Sequence, residues 1–434
     1  MTVLCLGYFD KFSRFFLDIK KNLQNGSSQP LDFKVYSIHF SGFLYTLLRL
    51  KFSSWIALKA RFLVRRKKAS YIGIINETKL YKNLPYNDYT KFHLGLNQYI
   101  SKLALQLQAL AYIDIFDSIF TKSKPNYLIC VGDSRMSIEI AVALAKQNDI
   151  KVYFIEQGPF NTTFFDESGV NANLSIRKLN ELGTSKTYSD SGFDLNHNTT
   201  KYKRSPIYRG FDMLLIALFK RSKFYPPDLK FADINTSTLK TTKATNPLIN
   251  YNTNHKIVLL VLQVPLDVNM IYHSPFFKSH TEIIKSIYSN LPENVELIIR
   301  EHPLFIDKYE KSFYDFSIEN EIKIDNLTSL NIAIESSDVI IVNNSTVGVE
   351  AILNYKPVVV LGNSFYDWTN ICLKLKNKDE VALLLEKALS YSPNIKSIDN
   401  FKNLLFSTAL LKGSITDKDL KSSQYIANHI LDHR

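Results

Sequence analysis

Residues 295–307 read VELIIREHPLFID. A strand-like run from Val295 to Ile299 meets Arg300, Glu301, His302 and Pro303 with no polar transition between them. A short apolar run of this kind reads as a buried strand, and proline ends the ladder because it has no N–H to give. Residues 338–352, DVIIVNNSTVGVEAI, repeat the pattern. There the run closes on Asn343, Asn344, Ser345 and Thr346, and a helix-like run follows. Strand, polar corner and helix together form the unit of a parallel sheet, since a parallel neighbour is reached only through a crossover.

The same alternation extends outward from these two stretches. KIVLLVLQV (256–264) and KPVVVLGN (356–363) read as strands, and HTEIIKSIYSNL (280–291), LTSLNIAIESS (327–337) and KDEVALLLEKALSY (378–391) as helices. The N-terminal half carries the strands VLCLGYF, DFKVYSIHF, PNYLICVGD (125–133) and IKVYFIEQG (150–158), with helical spacing in DKFSRFFLDIKKNL and SRMSIEIAVALAKQND. Between the halves lies INTSTLKTTKATNPLINYNTN (234–254), rich in Thr and Asn, which reads as a linker. The 434 residues exceed one compact core and suit two domains. The expected divisions are 1–233, a linker at 234–254, a second domain at 255–390, and C-terminal helices at 391–434 packing back on the first domain. The expected fold class is α/β: two Rossmann-like, doubly wound domains facing a cleft, with ligands at the carboxyl ends of strands.

Bulk properties narrow the function classes. Net charge is +12, which favours an anionic partner. Cys5, Cys130 and Cys372 are far apart and form no metal-binding pattern, so buried free thiols in a reducing cytoplasm are expected. MTVLCLGYFDKF reaches Asp10 and Lys11 too early for a signal peptide. No run of about 18 apolar residues is evident, so no spanning helix is expected.

The strand ends supply the candidate residues. His302, after Glu301 and before Pro303, is placed to donate to a phosphate oxygen, or simply to cap its strand. Ser345 or Thr346 is a natural helix N-cap, and the N–H groups beyond it, with Gly348 leaving the approach open, suit an anion. Asp267 closes QVPLD (263–267) as a nucleophile, a base or a plain N-cap. In the first half Glu156 and Gly158 close a strand, the glycine admitting a ligand to the backbone. Asp133 ends a neighbouring strand and reads as the N-cap of the helix that starts at Ser134. Arg300 either meets an anionic donor or is a surface charge.

In this order the segments resemble the capsule polysaccharide biosynthesis family, the β-Kdo glycosyltransferases of bacterial capsules (Kdo is an eight-carbon acidic sugar). FIEQGPFNTTFFDESGVNANLS (154–175) is similar to that family's glutamate–glycine segment and GVN element, the latter including Asn171. LQVPLDVNMIYHSPF (262–276) resembles its Gln-x-x-x-Asp segment, with Gln263 and Asp267. REHP (300–303) resembles its HP motif, and NNSTVGVEAILNYKPVVVLGNSFYDW (343–368) its Ser/Thr segment. The likeness spans roughly residues 125 to 370. One departure is Pro159-Phe160-Asn161-Thr162, where the family often carries basic or bulky residues. With one such unit, the chain resembles the branch that initiates the lipid linker.

The resemblance implies a GT-B fold and a CMP-Kdo donor. His302, Pro303, Asn344, Ser345, Thr346, Gly348, Gln263 and Arg300 would hold the donor. Asp267 would be the nucleophile of a retaining transfer and Glu156 the general acid/base. Gly158, Asn171 and Asp133 would line the acceptor side. No metal or other cofactor is implied; Asp417-Lys418-Asp419 lies in a polar tail and reads as solvent-exposed. The alternatives are another CMP-releasing enzyme, either sialyltransferase-like or a CDP-glycerol glycerophosphotransferase, and a non-catalytic subunit of a capsule assembly complex.

Two stretches interleave cations with large apolar residues: LLRLKFSSWIALKARFLVRRKKAS (47–70) and RGFDMLLIALFKRSKFYPP (209–227). They suit an anionic membrane surface, or a core-facing helix with solvated cations. No nucleic-acid module is present. The expected setting is the cytoplasm, peripheral on the inner face of the cytoplasmic membrane. The expected partners there are a phosphatidylglycerol-type lipid or saccharide acceptor and other capsule proteins.

Overall fold

The computed structural model describes residues 1–181, 188–189, 192–195, 199–230, 251 and 254–433. The linker expected at 234–254 lies outside them except for Tyr251 and Asn254. The chain forms two compact units. The first takes Met1–Val170, Gly192–Ala232 and Phe406–Arg434, and the second Asn171–Ser191 and Asp233–Leu405. Both are Rossmann-like α/β units.

The first sheet contains β1 (Thr2–Gly7), β2 (Asp32–Ser37), β3 (Ser53–Trp55), β4 (Tyr127–Val131), β5 (Lys151–Gln157), β6 (Thr162–Asp166) and, from the C-terminus, β13 (Leu410–Lys412). Its order is β13-β6-β5-β4-β1-β2-β3. β1 to β5 are parallel, and β6 and β13 add an antiparallel edge. The sequence reading assigned neither edge strand: FNTTFF has no clean alternation, and β13 is three residues long.

The second sheet contains β7 (Lys256–Val261), β8 (Val295–Arg300), β9 (Lys323–Ile324), β10 (Val339–Val342), β11 (Val358–Val360) and β12 (Leu373–Lys374). Its order is β12-β11-β10-β7-β8-β9, parallel throughout. Central β10 is buried along its whole length, as a strand covered on both faces must be. The chain reverses direction across the sheet between β1 and β4 in one unit and between β7 and β10 in the other. Such switch points leave a crevice at the strand ends.

The helix Asp10–Gly26 buries Phe12, Phe15, Phe16, Ile19 and Leu23, an i, i+3, i+4, i+7, i+11 stripe. The last helix, Lys421–Asp432, adds Ile426, Ala427 and Ile430 to the same core. The C-terminal segment 391–434 is therefore divided between the units, and it contributes a strand as well as helices. Asp417 is a correction: it is buried, not solvent-exposed, and accepts from Thr199 (2.6 Å), Lys201 (2.8 Å) and the Ser414 N–H (2.8 Å). All three cysteines are buried and free.

One helix, Lys102–Ser123, is long and apolar enough to cross a membrane, against the expectation that no run would qualify. It is a core helix: 67% of its most apolar window is buried, and its Asp114 accepts from Lys67 (2.7 Å), Tyr71 (2.8 Å) and Tyr81 (2.8 Å).

His93 gives the first unit a dependence on pH. It is buried, and its Nε2 accepts the Met136 N–H at 3.3 Å. Burial, with Arg135 adding to it, holds the imidazole down to about 3. The unfolded chain takes a proton below about 6.5 and the folded one does not, so the contribution is full above about 6.5 and fades as pH falls toward 3. In that window His93 costs about 1.4 kcal/mol of stability per pH unit. Denaturant titrations between pH 7 and pH 4 are expected to show a shallower decline in His93→Gln than in wild type; equal slopes would disprove the assignment.

Candidate active site at the strand ends

In the second unit β7 delivers Gln263 to the switch point, and β10 delivers Asn344 beside it. Both side chains are buried. Gln263 Oε1 accepts the Asn344 N–H at 3.2 Å. Asn344 Nδ2 donates to the carbonyls of Asn269 (2.9 Å) and His273 (3.0 Å). These bonds fix which way each amide faces. Gln263 Nε2 and Asn344 Oδ1 are left with no protein partner although both are buried. A donor and an acceptor stranded together at a switch point await a ligand or ordered water.

His302 follows β8 and joins the same cluster. Its N–H donates to the Tyr309 hydroxyl at 3.0 Å, which itself donates to the Gln263 carbonyl at 3.1 Å. Its Nδ1 accepts the Leu304 N–H at 3.3 Å. The neutral ring therefore carries its proton on Nε2, ready to donate outward. Burial lowers the basicity of His302, and the negative charge of Asp267 opposes that shift, which places the two within electrostatic reach. Asp267 itself accepts the Val268 N–H at 2.7 Å as N-cap of the short helix Val268–Ile271. The structure thus brings together Gln263, Asp267, His302, Asn344 and Ser345, each at or just beyond the end of β7, β8 or β10.

Several expectations change. Arg300 does not point to an open anion site; it donates to the backbone carbonyls of Thr328 (2.7 Å) and Asp325 (3.4 Å), holding that loop. Gly348 does not leave the approach open. A Cβ there would lie 2.5 Å from the Tyr366 hydroxyl and 2.6 Å from two of its ring carbons, and that hydroxyl donates to the Ser345 carbonyl. The next N–H groups are not free either: Gly348 and Val349 donate to Ser345 (2.9 Å) and Thr346 (3.1 Å). Thr346 is the N-cap residue by position, without a side-chain cap bond, while Ser345 Oγ accepts the Val347 N–H at 3.4 Å. Thr346 and Pro303 are exposed.

In the first unit Glu156 lies in β5, its Oε1 accepting the Gln157 N–H at 3.0 Å. Its Oε2 would be 3.4 Å from a Cβ at Gly132, whose φ of +66 requires glycine. Asp133 is not the helix N-cap. That helix is Met136–Gln147 with Arg135 at the cap position, and Asp133 instead accepts the Val170 N–H at 2.9 Å, holding the GVN element. Gly158 has a packing reason rather than a ligand: a Cβ would meet Thr162 Oγ1 at 2.4 Å and Leu410 Cδ2 at 2.9 Å. Asn171 belongs to the second unit and takes a left-handed φ of 51, which asparagine tolerates.

The sequence reading did not single out four residues. Tyr309 and Tyr366 clamp the loops that carry His302 and Ser345. Lys11, lowered mainly by burial and partly restored by Glu156, stands near that carboxylate at the first switch point. Glu350, pushed up by burial to about 7, sits in the helix after Ser345. No local motif marks any of them; for the two tyrosines the only cue is an aromatic within 6 residues of HP and in the FYDW segment.

Residues 193–384 match the profile described as capsule polysaccharide biosynthesis protein. That match covers less than half of the chain. The chain is 22% identical over 278 residues to the capsule polysaccharide export protein KpsS of Escherichia coli, covering 55% of this chain and 68% of that one. It is 28% identical over 179 residues to protein FixF of Sinorhizobium fredii (strain NBRC 101917 / NGR234), covering 40% of this chain and only 42% of FixF. Among solved structures it is similar to the β-Kdo 2,7 transferase of Thermosulfurimonas dismutans KpsC, with a TM-score of 0.39, 15% identity and coverage of 73% and 88%. It is also similar to the UDP-GlcNAc 2-epimerase of Neisseria meningitidis, with a TM-score of 0.37, 13% identity and full coverage of both chains. At these scores neither structure bears on chemistry.

Proposed function

We propose that this protein is a glycosyltransferase that moves Kdo from CMP-Kdo to a phosphatidylglycerol-type lipid or a saccharide acceptor. The observation that carries the reading is the cluster at the β7–β10 switch point, where buried Gln263 and Asn344 each leave a polar atom unmatched beside a neutral imidazole able to donate. Such a cluster suits a nucleotide carrying one phosphate. His302 Nε2–H donates to a phosphate oxygen, and the amides take the remaining polar contacts. No metal is invoked.

Asp267 then attacks the anomeric carbon. The bond from that carbon to the phosphate oxygen breaks, and CMP leaves with the electron pair. The acceptor hydroxyl attacks the same carbon as a general base takes its proton, and Asp267 is released; Glu156 is the residue that the segment resemblance offers as that base. Two inversions give net retention. The reaction is assigned to the inner face of the cytoplasmic membrane, among other capsule proteins. The capsule-family match and the segment resemblance support Kdo over other sugars. A second reading, a donor-binding subunit without catalysis, has one observation in its favour: Asp267 already serves as a helix cap.

CMP release from CMP-Kdo in the presence of phosphatidylglycerol is the test, run beside CMP-sialic acid and CDP-glycerol. Release from CMP-Kdo alone is expected. Release from another donor would move the chain to a different CMP-releasing enzyme, and CMP binding with no release from any donor would favour the non-catalytic subunit.

A further inference from the structure

We propose that the first unit docks on an anionic phospholipid bilayer through an outward apolar helix, and that a basic-mouthed cavity beside this helix seats one lipid. The inference does not rest on the transferase reading. The helix Pro206–Phe219 is amphipathic in the reverse of the usual sense. Its one buried residue is Asp212, which accepts the Ser41 N–H at 2.9 Å. Its exposed residues include Ile207, Phe211, Leu214 and Leu218, at i, i+4, i+7 and i+11. Those positions form one continuous uncharged stripe. An isolated exposed leucine needs no explanation, but a whole helix face does.

Two further features adjoin this helix. At its N-terminal end Arg49 donates to Tyr208 at 3.4 Å, which places the segment 47–52 alongside. In that segment Leu47, Leu48, Leu50 and Phe52 are all exposed, Leu50 at 93%, and Arg49 and Lys51 are interleaved with them. Beyond its C-terminal end, Lys223 and Phe224 reach the helix Ile56–Glu77: Arg61 donates to the Lys223 carbonyl, and the Arg65 guanidinium lies 5.2 Å from the Phe224 ring. Here a cavity of about 630 Å³ opens. Leu58, Val64, Leu103 and Leu107 supply apolar wall, and Arg65, Lys68 and Lys223 are exposed at its edge.

The volume suits a small organic ligand. Apolar walls beneath several cations match a molecule with a hydrocarbon tail and an anionic head, and Arg61, also lining the cavity, adds a fourth cation. Charge complementarity selects the bilayer as occupant, since the helix stripe is apolar while its flanks and the cavity mouth are basic. A second copy of this chain would bring the same positive charges against each other.

The test uses the full chain with vesicles of phosphatidylcholine alone and of phosphatidylcholine mixed with phosphatidylglycerol. Wild type is expected to sediment with the mixed vesicles. Each cation removed should weaken this by roughly fivefold, so R65Q/K68Q/K223Q should lose on the order of a hundredfold on mixed vesicles. L214S/L218S, on exposed positions, should bind both vesicle types more weakly while melting like wild type. L103W, filling the cavity, should lose the preference for phosphatidylglycerol but keep the weaker apolar binding. Wild type that ignores vesicles, or variants that bind like wild type, would overturn the proposal. So would a wild-type dimer that L214S/L218S turns into a monomer without any vesicle binding.

Discussion

Asp267→Asn is expected to lower CMP-Kdo turnover by at least about a thousandfold while leaving the fold intact. The expectation follows from the two jobs the carboxylate holds. One is structural: Oδ1 accepts the Val268 N–H at 2.7 Å and starts the helix Val268–Ile271. Asparagine ranks with aspartate as an N-cap, and its amide oxygen can keep that bond. The other job is the proposed nucleophile, and an amide cannot take it. Asp267→Ala removes both and should cost about 1 kcal/mol of stability in addition. Denaturant unfolding and CMP release, measured on both variants, separate the jobs. If Asp267→Asn turns over like wild type and only Asp267→Ala is impaired, Asp267 is a cap and the nucleophile lies elsewhere.

Gly348→Ala is expected to destabilise the second unit by about 1–3 kcal/mol, a large effect for a single methyl group. The methyl would land 2.5 Å from the Tyr366 hydroxyl and 2.6 Å from two ring carbons. Tyr366 has no room to withdraw, because it is fully buried and held by its bond to the Ser345 carbonyl. The displacement should pass to Ser345, so the donor binding proposed for that residue should weaken with stability. Replacing the ring relieves the clash: Gly348→Ala/Tyr366→Leu should be more stable than the sum of the single losses predicts, by about 0.5–3 kcal/mol. Strict additivity in a double-mutant cycle would show that the glycine is required for some other reason.

The strands β3, β6, β9, β12 and β13, at or beside the sheet edges, were not legible in the sequence. The central strands were, because their apolar runs are short, bounded and rich in Val and Ile. That is the pattern demanded by a sheet covered on both faces. The positions of His302, Asn344 and Asp267 at strand ends followed from the same reading, since the end of a run can be seen locally. What stayed hidden depends on partners remote in sequence. Gly348 looks like an opening until Tyr366, eighteen residues on, fills the space. Gly158 looks like a ligand contact until Leu410 is placed against it. Arg300 looks available until the carbonyls of 325–328 arrive. Asp417 sits in a polar tail yet is buried, because Thr199 and Lys201 reach it from more than two hundred residues away. A one-dimensional pattern reports which residues are near the end of an element. It does not report which of them a distant loop has already engaged.

The antiparallel edge of the first sheet has a consequence for biosynthesis. β13 and the helix Lys421–Asp432 complete a unit whose first strand is Thr2–Gly7. While the chain is being made, β6 keeps a bare edge and the core around Phe12, Phe15 and Phe16 lacks Ile426 and Ile430 until residues 410–432 leave the ribosome. The second unit suffers no such delay, since β7 to β12 all lie between residues 256 and 374. N-terminal domains generally fold first during translation. In this protein the order is reversed: the later-synthesised unit can finish its sheet first, and the half-built first unit is the species that chaperones would meet.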